Sequence, residues 1–241
     1  MVDIVKAISR ENEYLAHRRK GEEPFHLVDA VKECGFESLS DYFKSKMEHT
    51  FVNLDFALIE KKPSECIDYF FHMMNTKETG VVFIDSTEHF VFSGESKPYN
   101  ADFCEANNIP VYPLHTRGGA IVSAEGNFSI GICFPETVGA DVYFILSKLK
   151  GIFSKYMDGV AVNGNDLLVD GKKICGSIMY HKNGMKCFAC HFSFVDSAEL
   201  IENICNISGS IKEPTAISNL TVPVFKEELR QWLKVSQGDG E

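Results

Sequence analysis

Tryptophan, positive charge and long apolar runs are what this chain has least of, and each shortage excludes something. One Trp occurs in 241 residues, and 24 Lys and Arg stand against 34 Asp and Glu, a formal net charge of −10. That deficit argues against broad nucleic-acid binding, which neutralises phosphates with Lys and Arg. No stretch approaches the ~18 consecutive apolar residues of a membrane span, so no membrane association is expected. The first residues, Met-Val-Asp-Ile-Val-Lys-Ala-Ile, lack the basic start and apolar centre of a secretion signal. A cytoplasmic location is the expectation. Repeats, low-complexity tracts and clear linkers are also missing, which speaks against solenoids and disordered arrays.

What is present suits a folded domain. Hydrophobic residues make up 44% of the chain and aromatics 12%, with 19 Phe, enough for one large core or a core plus a small appendage. Eight cysteines are more than such a chain needs as disulfides. In a reducing compartment they read as buried thiols, and Cys34, Cys66, Cys104, Cys133 and Cys205 all sit among apolar neighbours. Residues 148–186 hold seven lysines against three acids. This local basic excess could steer an anionic ligand or an acidic partner, or form an ordinary solvated face.

The hydrophobic period divides the chain. Helical spacing covers residues 2–20 and 26–34, the latter ended by Gly35. A third helix starts at Ser38 or Ser40, and a fourth runs from about Ser64 to Met74 with Pro63 in its first turn. From Gly80 short β-rich runs begin: Val81–Ile84, His89–Phe92, Ile109–Tyr112 and Phe128–Phe134. Helical spacing returns at 99–107 and 138–155, then at 197–204 and 226–235. Met185–Val195 is strongly strand-like. The expected architecture is α+β, with a mixed, mostly antiparallel sheet flanked by helices and a helical N-terminal segment. Residues 1–75 are expected to pack as that segment on a domain spanning 76–241.

Two blocks carry chemistry. Residues 165–177 read Asn-Asp-Leu-Leu-Val-Asp-Gly-Lys-Lys-Ile-Cys-Gly-Ser. Asp170-Gly171 is a hairpin turn signal, because Gly accepts the positive φ that such turns need. The turn delivers Lys173 onto the returning strand. Gly176 beside it leaves room for a ligand near the backbone. Earlier, Thr116-Arg117-Gly118-Gly119-Ala120 precedes Gly126-Asn127 and a strand. Together these blocks resemble the lipoate–protein ligase A and biotin-ligase catalytic superfamily. There a glycine loop, a Gly-Asn pair and an Asn-Asp…Lys-Ile-Ser-Gly-Ser hairpin surround an acyl-adenylate.

The resemblance implies the biotin/lipoate ligase-like catalytic fold and a lipoate- or octanoate-type protein ligase. A carboxylic acid and ATP would form an acyl-adenylate, and the acyl group would pass to a lysine of a carrier protein. It implies Lys173 as the catalytic cation, and Asp166 as the ligand of Mg2+ beside Asn165. Arg117, Gly118, Gly119, Ala120, Gly126, Asn127, Gly176 and His191 would bind substrate or nucleotide. ATP, Mg2+ and lipoate or a related acid are the implied ligands. A lipoyl domain or similar carrier is the implied acceptor, and a separate accessory protein the implied activator. The chain departs from the pattern at Pro113-Leu114, where the family has an Arg pair. Arg117 replaces a loop glycine, and Val122-Ser123-Ala124 replaces an aromatic-His-Asp run. An acyltransferase between carriers, using a cysteine such as Cys175, and a non-catalytic binding module therefore stand as alternatives.

One further motif formally matches haem attachment: Cys187-Phe188-Ala189-Cys190-His191. On a strand, however, Cys187 and Cys190 point to opposite faces and cannot share a ligand.

Overall fold

The computed structural model describes residues 2–22, 25–95, 99–114, 120–205 and 215–235. The chain divides into two compact units, Met1–Leu54 with Val138–Ala140, and Asp55–Thr137 with Asp141–Glu241.

The first unit holds three helices, α1 (Ile4–Arg18), α2 (Leu27–Glu33) and α3 (Leu39–Val52). Asp3 caps α1 by accepting from the Lys6 amide at 2.9 Å, and Ser38 caps α3 by accepting from Asp41 at 3.1 Å. Ala7, Val31, Cys34, Phe36 and Tyr42 form its core. Glu11 is buried there, but its carboxylate accepts from the Tyr42 hydroxyl at 2.6 Å and pairs with Lys46. That partnership makes a buried acid tolerable.

The second unit runs β1 (Ala57–Glu60), α4 (Pro63–Thr76), β2 (Gly80–Asp85), β3 (Phe90–Ser93), α5 (Ala101–Ala106), β4 (Val111–Pro113), β5 (Ile121–Ser123), β6 (Phe128–Pro135), α6 (Val142–Phe153), β7 (Val160–Asn163), β8 (Asp166–Val169), β9 (Lys172–Lys182), β10 (Met185–Phe192), α7 (Ala198–Cys205) and α8 (Val222–Leu233). A seven-stranded sheet has the order β1-β2-β6-β10-β9-β8-β7, and a three-stranded sheet the order β4-β3-β5. Among the described residues only β1–β2 and β3–β4 pair in parallel; the other pairings are antiparallel. The architecture is thus the expected mixed, mostly antiparallel sheet flanked by helices. Among the described residues no helix is long and apolar enough to cross a membrane.

Both faces of the large sheet are packed. On one, Phe128 and Phe192 meet Phe153 of α6 and Phe225 of α8 in a cluster of rings 4.8–6.4 Å apart. On the other, Phe70, Met73 and Met74 of α4 pack with Val82, Ile84, Cys133 and Cys187, and with Phe90 and Phe92 of β3. Gly131 of β6 matters here: a Cβ at that position would lie 2.2 Å from Cε1 of Phe70. The absent side chain lets α4 lie flush on the sheet.

Element boundaries differ from the sequence reading for local reasons. The helix expected from residue 138 begins at Val142, because Gly139 takes φ +82° and Asp141 caps the helix by accepting from Phe144 at 2.7 Å. The last helix begins at Val222, four residues before its apolar spacing suggests, since Pro223 suits a first turn. The strand expected through Val195 stops at Phe192. The amides of Phe194 and Val195 donate instead to the Asn127 side chain, at 2.9 and 3.0 Å. Strand β1, too short to show a period, was not legible.

Candidate active site

The β8–β9 hairpin turns through Asp170 at φ +50° and Gly171 at φ +80°, the left-handed pair expected of Asp-Gly. A register shift between Leu167 and Leu168 follows on β8, so that Leu168 pairs with Lys173 while Asp166 pairs with Gly176. This bulge swings Lys173 over its own strand, as bulges do when they re-aim a side chain. Its Nζ lies 2.8 Å from Oδ1 of Asp166, with the lysine 37% and the aspartate 20% exposed. A Cβ placed on Gly176 would sit 2.7 Å from that Nζ and 2.9 Å from Cε. The ammonium therefore occupies the space that a side chain at 176 would fill.

One row of the sheet completes the site. Ile84, Ser129, His191, Gly176, Asp166 and Asn163 are successive register partners across β2, β6, β10, β9, β8 and β7. Direct partners share a face, so the lysine, the aspartate and the histidine lie on the same side. His191 is 8% exposed, and its Nδ1 is 2.9 Å from the Ser129 hydroxyl. Its Nε2 is buried with no hydrogen-bond partner among the described residues. Burial, reinforced by the Lys173 charge, pulls the imidazole down to about 4, so the ring is neutral at ordinary pH. An ammonium, a carboxylate and a neutral ring nitrogen thus share one face of the sheet, one row along from Gly131, over which Phe70 of α4 sits.

The other expected residues are placed as follows. Asn165 is exposed in the β7–β8 turn; its backbone carbonyl accepts from the Ser177 amide at 2.9 Å and hydroxyl at 2.8 Å. Gly126 takes φ +89° in the turn before β6. Asn127, 1% exposed, spends its side-chain oxygen on the Phe194 and Val195 amides, while its Nδ2 meets no partner among the described residues. Ala120 packs with Val91, Cys104, Ile109 and Val122. Arg117, Gly118 and Gly119 lie outside the described residues.

The cysteines are all free thiols. Cys175 is 1% exposed and stands beside Cys190, on the opposite sheet face from Gly176. Cys187 lies with Cys133 and Cys66, so Cys187 and Cys190 do face opposite ways. Burial pushes both thiols up. Among the described residues no group of three His, Cys, Asp or Glu is arranged to hold a metal ion.

Residues 67–229, about two thirds of the chain, match the model of the lipoyl protein ligase A/B catalytic domain. The chain belongs to that family. The match runs from within α4 to within α8 and includes every residue of the site. No curated protein matches the sequence. Solved structures match in fold at low identity. Lipoate-protein ligase A bound with ATP superposes with a TM-score of 0.60 at 12% identity, covering 75% of this chain and 85% of that one. Plasmodium falciparum LipL1 in complex with lipoate gives 0.62 at 10%, covering 75% and 60%. A chain of the Thermoplasma acidophilum lipoylation system, a bi-partite lipoate protein ligase with its E2 lipoyl domain, gives 0.59 at 11%, covering 76% and 83%. At these identities the likeness is one of fold.

Ser129 was missed by sequence reasoning. Its signal is present: it is a lone hydroxyl within the otherwise apolar run Phe128–Phe134, in phase with Gly131 and Cys133. Nothing in the sequence says that His191 stands opposite.

Proposed function

We propose that the chain is a lipoate- or octanoate-type protein ligase. The observation that carries this is the Lys173–Asp166 pair at 2.8 Å, seated over the bare backbone of Gly176 on one sheet face with the unpartnered Nε2 of His191. A carboxylate oxygen of the acid would attack the α-phosphorus of ATP, the bond to the β-phosphate oxygen would break, and pyrophosphate would leave. A carrier lysine would then attack the acyl carbonyl, with AMP leaving and the amine losing a proton. Lys173 would stabilise charge developing at the shared phosphoryl and acyl oxygens. Such a preorganised cation contributes most where water is excluded.

Asp166 would hold Mg2+. One carboxylate supplemented by water and phosphate oxygens suits that ion, which neutralises phosphate charge when bound. Asn165 would support it at the turn. The amide of Asn127 and the 117–119 segment would bound the nucleotide and acyl pocket, and Gly126 would let the chain turn there. We place the chain in a cytoplasmic setting, the expectation drawn from its sequence. The acceptor would be a lipoyl domain. An accessory chain is proposed as well, as in the bi-partite Thermoplasma ligase.

The acyltransferase alternative needs an accessible thiolate. Cys175 is buried on the sheet face opposite Gly176, and this disfavours it. The test is calorimetric titration with a non-hydrolysable lipoyl-adenylate analogue, followed by the mass of a lipoyl domain incubated with the chain, ATP, Mg2+ and lipoate. Binding that is lost in Lys173→Ala supports the proposal. No heat from a folded wild-type chain overturns it.

A further inference from the structure

The contact between Ser129 and His191 fixes something that neither residue shows alone. Both side chains are buried, at 5% and 8% exposure, and Oγ is 2.9 Å from Nδ1. The hydroxyl carries one proton and the neutral imidazole carries one. If Nδ1–H donates to Oγ, the serine proton has no acceptor among the described residues, and Nε2 presents an unmatched lone pair. If Oγ–H donates to Nδ1, the serine is satisfied and the ring proton sits on Nε2. The second arrangement leaves one unsatisfied polar group instead of two. Burying a polar group without a partner is destabilising, so the second arrangement is the favoured one.

We infer that Ser129 is a positioning residue that holds His191 as an Nε2–H donor, aimed at an oxygen of the acyl group in the site. The inference rests on the ligase function proposed above. Ser129 itself does not touch the substrate. It sets the tautomer of the ring that does, as partners of functional histidines commonly do. The geometry also selects the ligand atom. An N–H donor on the same face as the Lys173 ammonium favours a carboxylate or acyl oxygen and disfavours an amine. Burial keeps the ring from gaining a second proton at neutral pH, so the donor is uncharged and permanent.

Nuclear magnetic resonance of the full chain labelled with 15N-histidine reads the tautomer directly. At neutral pH the ligand-free protein is expected to show His191 protonated on Nε2. A ring protonated on Nδ1 overturns the inference. Ser129→Ala should mix the tautomers and weaken binding of the lipoyl-adenylate analogue about tenfold, the loss of one buried hydrogen bond. Ser129→Thr, which keeps the hydroxyl, should restore both. If the analogue binds wild type and Ser129→Ala equally, only the inference falls. If it binds no folded form of the chain, the ligand assignment falls with the proposed function, and the tautomer measurement stands on its own.

Discussion

At the scale of single residues, the site separates function from stability. The Lys173–Asp166 pair is partly exposed, and exposed pairs contribute about 0–1 kcal/mol. Lys173→Ala should therefore leave the melting temperature almost unchanged. It should lower adenylate formation by about 10²–10³-fold, the usual loss when one preorganised stabiliser of developing charge is removed; pyrophosphate exchange checks the second effect. Gly176→Ala should act on the same lysine from beneath. Its methyl would meet the tip of a flexible side chain, at 2.7 Å from Nζ, so the fold can absorb it only by moving the ammonium off Asp166. The expected outcome is a folded protein with reduced exchange activity; full activity would show that the amine need not sit there. Both residues were legible from the Asp-Gly turn and the Lys-Ile-Cys-Gly-Ser frame, because a hairpin fixes its own local geometry. Ser129 was not, because its partner lies 62 residues away.

At the scale of elements, α4 against β6 is the junction that frames the site. Phe70 lies on Gly131 with no space between ring and backbone. Gly131→Ala drives a methyl into a packed ring, an overpacking change that costs about 1–3 kcal/mol, measurable as a shift in the denaturation midpoint at unchanged slope. Because this occurs one row from Ser129 and His191, some loss of ligand affinity should accompany it. The helices of this unit were visible in the sequence from period and caps, and so were strands long enough to alternate. Strand β1 and the true ends of β10 and α6 were not. They depend on a parallel partner, on the Asn127 side chain and on a glycine with positive φ, none of which a period records.

At the scale of the whole molecule, the buried imidazole links stability to pH. The His191 folded value of about 4 lies below the ordinary 6.5, so between these values the unfolded chain binds more protons and stability rises with pH. The stability is fully present above pH 6.5 and is lost as pH falls toward 4. The full shift corresponds to about 3 kcal/mol. Melting temperatures should fall across that window for wild type and less steeply for His191→Gln; parallel curves would assign acid sensitivity elsewhere. By itself the sequence determined the helices, the longer strands, the hairpin and the family, because period, turn residues and local spacing are written in neighbouring positions. Only the tertiary structure decided that Ser129, His191, Gly176 and Asp166 form one row, that Cys175 faces away from it, and that Phe70 of α4 sits on Gly131 one row along. Strand register and sheet order bring together residues far apart in the chain, and no local pattern encodes which strand lies beside which.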